Sequence, residues 1–345
     1  MKTIQVNASR SYNVIIGNEL LQNLGNFLLS VCKKKCKVAI VSDSNVWPLY
    51  GNAVEKSLAD SGFQVVNFVF QAGESSKNAN TYFEILNFLA ENKITRSDLL
   101  IALGGGVVGD MTGFAAATYL RGVSYVQIPT TLLAMVDSSV GGKTAINLPA
   151  GKNLVGAFNQ PALVLCDLNA LSTLPDSIFR DGCAEIIKYG MICDADLFAH
   201  LAEKGLVFDR EYVIARCVEL KKNVVAEDEF DTGPRQMLNF GHTIGHGIEA
   251  QSEFAISHGQ AVAIGMAIVA KAGCREIYDR LISVLKKFGL PTTTEFTAEQ
   301  LYKSALSDKK RAGGTVNLIV PRTIGNCAIV PTNVLELISF IEEGL

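Results

Sequence analysis

Five short runs of aliphatic and β-branched residues dictate what the first half of this chain can fold into. They are Lys37–Ser42 (KVAIVS), Gln64–Phe70 (QVVNFVF), Asp98–Leu103 (DLLIAL), Ser124–Ile128 (SYVQI) and Ala162–Cys166 (ALVLC). Near-continuous apolar runs of this kind suit strands buried on both faces. Helix candidates lie between them near Val46–Asp60, Asn78–Asn92 and Val107–Tyr119. Strands alternating with helices imply a parallel sheet covered on both sides. From about Asp176 helical periodicity takes over, through Ser177–Met191, Glu211–Ala226, Thr243–Ala250 and Gln260–Arg280, with one short strand expected at Val316–Val320. The expectation is an α/β domain over residues 1–175 and a mostly α-helical domain over 176–345, with ligands in the cleft between them.

Charge and composition remove several function classes. Lys+Arg 31 against Asp+Glu 34 gives a net charge of −3, without the basic stripe that nucleic-acid binding needs. The run Lys33-Lys34-Lys35 reads as a solvated face. The longest apolar run, Ala261 to Ala270, is about half the ~20 residues of a membrane span and reads as a buried core helix. The N-terminus has no apolar signal core, so a cytoplasmic, reducing location is expected, and all eight cysteines read as free thiols.

The chemistry-bearing residues fall in three stretches. Gly104-Gly105-Gly106-Val107-Val108-Gly109-Asp110 follows a strand and opens a helix, where free N–H groups and close backbone approach suit a pyrophosphate. Alone it is as readily a tight strand–helix turn. Asp43 at the end of one strand and Gly73-Glu74-x-x-Lys77 after the next favour the nucleotide, the acid being placed for a ribose hydroxyl. Thr130-Thr131 through Asp137-Ser138-Ser139-Val140-Gly141-Gly142-Lys143-Thr144, then Gly151-Lys152-Asn153, put two lysines in glycine-rich loops. Each lysine by itself fits a polar β-hairpin; together they suit an anionic group such as phosphate.

Three of the four histidines fall between residues 242 and 258. His242 and His246 stand at i and i+4, on one helical face, and His258 follows after a turn. With Glu185 as a candidate carboxylate, they suit a divalent-metal site. Periodicity alone makes His242 and His246 the ligand pair; it does not exclude His242 with His258, which would leave His246 for the substrate. Thr243 stands where His-Glu-x-x-His has glutamate, which argues against a metalloprotease. His200 reads as a surface residue.

These stretches together resemble the 3-dehydroquinate synthase family. The resemblance rests on Gly104–Asp110, Pro129–Thr144, Gly151-Lys152-Asn153-Leu154, Leu238–His246, His258-Gly259 before Ala261-Val262-Ala263, and Asp308-Lys309-Lys310. They occur in order from about residue 37 to 330. The resemblance implies a Rossmann-like NAD domain followed by a helical metal and substrate domain. It implies zinc or cobalt held by Glu185, His242 and His258, with His246 at the substrate instead. NAD would contact Asp43, Glu74, Lys77, Gly105, Gly106, Asp110, Thr130, Thr131, Asp137, Lys143, Lys152 and Thr173. The phosphorylated sugar acid would be held by Asp137, Lys143, Lys152, Asn153, Lys188, Lys221, Arg235, Asn239, His246 and Lys310. Arg121 would reach the phosphate of the neighbouring subunit's substrate, which implies a homodimer.

The implied reaction is transient oxidation by NAD, loss of phosphate, re-reduction and aldol closure of a carbocycle, in the shikimate route to aromatic amino acids. Departures from the family pattern are Gln260 for Glu, Pro234 before Arg235, Asn317 for Arg and Ala170 for a bulkier residue. A cyclase for another sugar phosphate would not need Lys152, Asn153, Lys221, Arg235 and Asn239 for a carboxylate. A metal-dependent polyol dehydrogenase would yield net NADH and need fewer lysines. A nucleotide-sensing module would not need the histidines.

Overall fold

A computed structural model describes residues 1–32, 36–253, 255–309 and 314–345, with the side chains of 305–309 excepted. Lys33-Lys34-Lys35 and Lys310 therefore lie outside the described residues. The chain divides into two compact units, Met1–Leu174 with Lys221–Glu229, and Pro175–Leu220 with Phe230–Leu345. The helix Arg210–Glu227 starts in the second unit and ends in the first.

Eleven strands occur among the described residues: β1 (Lys2–Val6), β2 (Tyr12–Gly17), β3 (Lys37–Asp43), β4 (Gln64–Phe70), β5 (Leu99–Gly104), β6 (Ser124–Pro129), β7 (Lys143–Leu148), β8 (Gly151–Phe158), β9 (Leu163–Asp167), β10 (Thr315–Thr323) and β11 (Asn326–Asn333). The first unit is built on a sheet of order β1-β2-β9-β6-β5-β3-β4, parallel throughout except for β1. Side chains along its strands alternate between two cores. Val38, Ile40, Ile101, Leu103, Val126 and Ile128 pack with Val54 and Leu58 of the helix Trp47–Asp60. Ala39, Val41, Leu100 and Ala102 pack on the other side with Ile85 and Leu89 of Ala79–Glu91 and Met111 and Ala115 of Gly106–Thr118. At β3, β5, β6 and β9 both faces are dry, which is why the sequence shows unbroken apolar runs there rather than alternation, while the edge strand β4 is largely exposed or half-buried. Glu229 closes the return of the chain to this unit, its carboxylate accepting from Ser9 N at 2.7 Å, Ser9 Oγ at 2.6 Å and Gln160 Nε2 at 2.8 Å.

The second unit is mostly helical. The helix His258–Gly273 is its centre, buried at Gly259 and at every position from Ala261 to Ala270. One helix was expected over Gln260–Arg280; the structure has two, because Cys274 adopts φ −157°, ψ 79° and Arg275–Lys287 starts afresh. The strand expected at Val316–Val320 is the middle of β10, paired antiparallel with β11. Among the described residues no helix is long and apolar enough to cross a membrane, and all eight cysteines are free.

Candidate active site

In the first unit the candidate residues gather at the carboxyl ends of β3 and β5. Gly105 is the N-cap of the helix Gly106–Thr118 and supplies no side-chain cap, so the first N–H groups of that helix point outward without a side-chain acceptor. A Cβ on Gly105 would lie 3.1 Å from Thr131 Cγ2, and one on Gly106 would lie 3.2 Å from Ser138 Oγ. Side chains there would fill the cradle that the bare backbone leaves, which is the form a bound pyrophosphate requires. Asp43, at the end of β3, accepts from Asn45 N at 2.9 Å and Val46 N at 3.0 Å through Oδ1. Thr173 and Tyr50 share a short hydroxyl–hydroxyl hydrogen bond, and Thr130 Oγ1 is buried without a hydrogen-bond partner.

Lys77 joins the nucleotide and phosphate candidates. Its buried ammonium donates to Asp110 Oδ2 and to Asn153 Oδ1, each at 2.6 Å. Burial pushes the Asp110 carboxyl up, against the opposing pull of Lys77. Glu74 is tied to the same region by Asn147, which donates to its Oε1 at 2.7 Å and accepts from Asn153 N at 2.9 Å. Lys143 and Lys152 stand on the antiparallel β7–β8 hairpin.

Asp137 sits in a π-type turn, Ala134–Ser138, a form frequent at functional sites. Lys221 Nζ donates to the Asp137 carbonyl at 2.6 Å and pairs with its Oδ1 at 3.0 Å. Arg121 is exposed on a turn in which Leu120 (φ 51°), Arg121 (φ 66°) and Gly122 (φ 126°) are all left-handed.

The second unit brings Glu185, His242 and His258 together. Glu185 lies on the helix Asp176–Cys193, and each histidine is the first residue of its own helix, His242–Gln251 and His258–Gly273. Gly241 takes φ 78° to start the first of these, and a Cβ there would meet Val262 O at 2.7 Å. Nε2 of each histidine is 3.4 Å from Glu185 Oε1. The outer nitrogens are both engaged: His242 Nδ1 donates to Phe240 O at 3.1 Å and His258 Nδ1 to Glu249 Oε1 at 2.7 Å. A carbonyl can only accept, so on His242 the proton sits on Nδ1 and the Nε2 lone pair faces Glu185. Glu185 is 1% exposed, yet neither of its oxygens accepts a hydrogen bond, although Lys188 Nζ lies 2.5 Å from Oε2. A buried carboxylate left so, facing Nε2 of two imidazoles, fits a divalent cation. One ligand atom from each of the three residues lies within 4.8 Å of the others.

Burial alone would raise the Glu185 carboxyl, but the Lys188 ammonium and His242 hold it well below the usual carboxylate range. Burial, with Lys188 nearby, pushes His242 down to about 4 and keeps it neutral. Burial also works against a charge on His258, but the Glu185 and Glu249 carboxylates on its two sides prevail and draw it up to about 10. Glu185 and Glu249 thus put a carboxylate on each side of the His258 ring.

His246 is exposed, its ring centre 5.5 Å from that of His242 and 6.1 Å from that of His258. Arg235 and Lys188 are buried, and Asn239 ends the short turn Pro234–Asn239 and is half-buried. Among the departures, Gln260 completes a capping box with Ser257, Asn317 donates to Gln236 Oε1 at 2.8 Å, and the Ala170 carbonyl accepts from Tyr50 and Thr173. Sequence reasoning missed Glu249. Its signal was present at i+7 from His242, two turns along the same face.

Comparison with known proteins adds the rest. Family models described as the N-terminal and C-terminal parts of 3-dehydroquinate synthase match residues 67–181 and 182–311. The 3-dehydroquinate synthase of Clostridium acetobutylicum is 44% identical over 342 residues, covering 95% of this chain and 96% of that one. Among solved structures, the 2-epi-5-epi-valiolone synthase of Streptomyces hygroscopicus subsp. jinggangensis, with NAD+ and Zn2+ bound, superposes with a TM-score of 0.89 at 28% identity over 98% of both chains. A 2-deoxy-scyllo-inosose synthase complexed with carbaglucose-6-phosphate, NAD+ and Co2+ has the same TM-score at 25% identity over 100% of both.

Proposed function

The chain belongs to the 3-dehydroquinate synthase family, and we propose that it converts 3-deoxy-D-arabino-heptulosonate 7-phosphate to 3-dehydroquinate and phosphate. It is on this reading a phosphate-eliminating carbon–oxygen lyase of the shikimate pathway, cytoplasmic and acting as a homodimer. The observation that carries the reading is the buried Glu185 carboxylate facing Nε2 of His242 and of His258, with both outer nitrogens engaged.

Glu185, His242 and His258 would hold zinc or cobalt, while Asp43, Glu74, Lys77, Asp110, Thr130, Thr131 and Thr173 would hold NAD around the bare turn of Gly105 and Gly106. When bound, NAD accepts and returns one hydride, and the metal polarises the alcohol being oxidised. The side chains do the remaining work. Lys188, 2.5 Å from Glu185 Oε2, adds positive charge where the alkoxide develops. Lys143, Lys152, Asn153 and His246, with Arg121 of a second copy, fix the phosphate through charge-assisted bonds. Lys221, Arg235 and Asn239 grip the carboxylate. Asp137, pinned by Lys221, orients the ring hydroxyls. The groups on the chain mainly bind and orient, and the substrate's own phosphate would take the proton lost in its elimination.

The test is release of inorganic phosphate from that substrate with catalytic NAD, before and after chelation. Release that chelation abolishes and zinc or cobalt restores, without net NADH, is the expected result. No release from folded, metal-loaded protein refutes the reading, and release only from a sugar phosphate lacking the carboxylate assigns the chain to a sister cyclase.

A further inference from the structure

We infer that Glu249 and Asp181 are positioning residues that set His258 for the metal, each from a different ligand-bearing helix. The inference rests on Glu185, His242 and His258 being the metal set. Glu249 lies seven residues after His242, so it projects from the same face of the helix His242–Gln251. It is 2% exposed, and its Oε1 accepts from His258 Nδ1 at 2.7 Å. A carboxylate is rarely buried this deeply without a specific partner. That bond fixes the plane of the ring and directs Nε2 to its position 3.4 Å from Glu185 Oε1. A carboxylate behind a ligating imidazole also makes the imidazole a stronger donor.

Asp181 acts on the backbone rather than the ring. It precedes Glu185 by four residues, one turn along the helix Asp176–Cys193. Its Oδ1 accepts from Ser257 Oγ at 2.5 Å and from Gln260 N at 3.1 Å, the N-cap and the third residue of the helix that His258 opens. Contact is close enough that a Cβ on Gly259 would fall 2.0 Å from Asp181 O. His258 is therefore held by its helix start from the Glu185 helix and by its ring from the His242 helix. Three ligands on three helices can keep one geometry only if such links join the helices, and these two carboxylates are links of that kind.

Glu249 also lies with His246 and His258 in a second group able to hold an ion, so it could serve as a ligand itself. The substitutions separate the roles. Zinc affinity by competition with a chelating dye, the visible absorption of cobalt-loaded protein and the melting temperature of metal-free protein are measured for wild type, E249L, E249Q, D181A, D181N and H258A. E249L is expected to weaken zinc binding about 10- to 100-fold and to alter the cobalt bands. E249Q, which keeps an acceptor for Nδ1, recovers most of that loss. D181A weakens binding in the same direction and D181N restores it, which keeps the test open if E249L does not fold. E249Q as weak as E249L would make Glu249 a ligand and overturn the inference. Wild-type affinity in both E249L and D181A, with binding lost in H258A, overturns the positioning role and leaves the metal set standing. Wild-type affinity in H258A overturns the metal set itself.

Discussion

Gly265→Ala tests whether the metal set depends on backbone contact between the helices that carry its histidines. Gly265 lies mid-way along His258–Gly273, and a Cβ there would sit 2.0 Å from Gly241 O and 3.0 Å from Gly245 N. That is about 1.3 Å short of an ordinary C···O contact. The obstacle is main chain, so no rotamer change relieves it. The two helices must separate, and Gly241 immediately precedes His242. Overpacking of this kind costs about 1–3 kcal/mol, partly offset by the gain of about 1 kcal/mol for alanine in a helix interior. The net loss should lower the melting temperature of the metal-free protein by about 2–4 °C per kcal/mol. It should also pull His242 Nε2 away from its 3.4 Å approach to Glu185 Oε1 and weaken zinc binding. Calorimetry with and without zinc reads both effects. Wild-type melting and wild-type zinc affinity in this variant would refute the claim that close backbone approach builds the site.

Two further expectations concern stability. Lys77→Met strips Asp110 of the cation 2.6 Å away and should cost about 3 kcal/mol in urea unfolding; adding Asp110→Asn should recover part of it, and an unchanged midpoint for the single variant would count against the pair. Asp194 caps Ala195–Lys204, its Oδ1 accepting from Asp196 N and Leu197 N at 3.0 Å each and its Oδ2 from Arg216 Nε at 2.5 Å. Burial would raise its carboxyl, but these bonds and the Arg216 charge hold it below the usual range. A depressed folded pKa gives stability that is present above about 3.9 and is lost as pH falls through the lower folded value. Asp194→Ala should therefore cost about 1–2 kcal/mol at neutral pH and converge on wild type in strong acid, as followed by circular dichroism; a constant difference across pH would contradict the assignment.

The interior of the first unit was readable because burial on both faces leaves long apolar runs. β3, β5, β6 and β9 were each placed to within a residue or so. β1 was not, since only Ile4 and Val6 of its five residues are buried, too little for a periodic signal. β2 has only the short apolar run Val14-Ile15-Ile16 to mark it, and its pairing with β9, about 150 residues further on, has no local signature. The break at Cys274 had one local cue, Gly273, where a Cβ would lie 2.5 Å from Val320 Cγ1. The close approach of β10 that makes glycine necessary there is a tertiary fact.

The histidines show the same limit at the level of chemistry. Periodicity puts His242 and His246 on one face and favours them as the pair, without excluding His242 and His258. What separates them is how helices meet. His258 comes to Glu185 because Gly259 lets its helix start rest against Asp181 and because Gly241 and Gly265 let the two histidine-bearing helices touch. His246, one turn further along its own helix, has Glu249 rather than Glu185 as its grouped carboxylate and is exposed. The glycines in Asn239-Phe240-Gly241-His242-Thr243-Ile244-Gly245-His246 thus carry structural information that a ligand search passes over. Beside a metal-binding residue, a glycine marks where another backbone comes close, and that approach decides which of two eligible histidines faces the carboxylate.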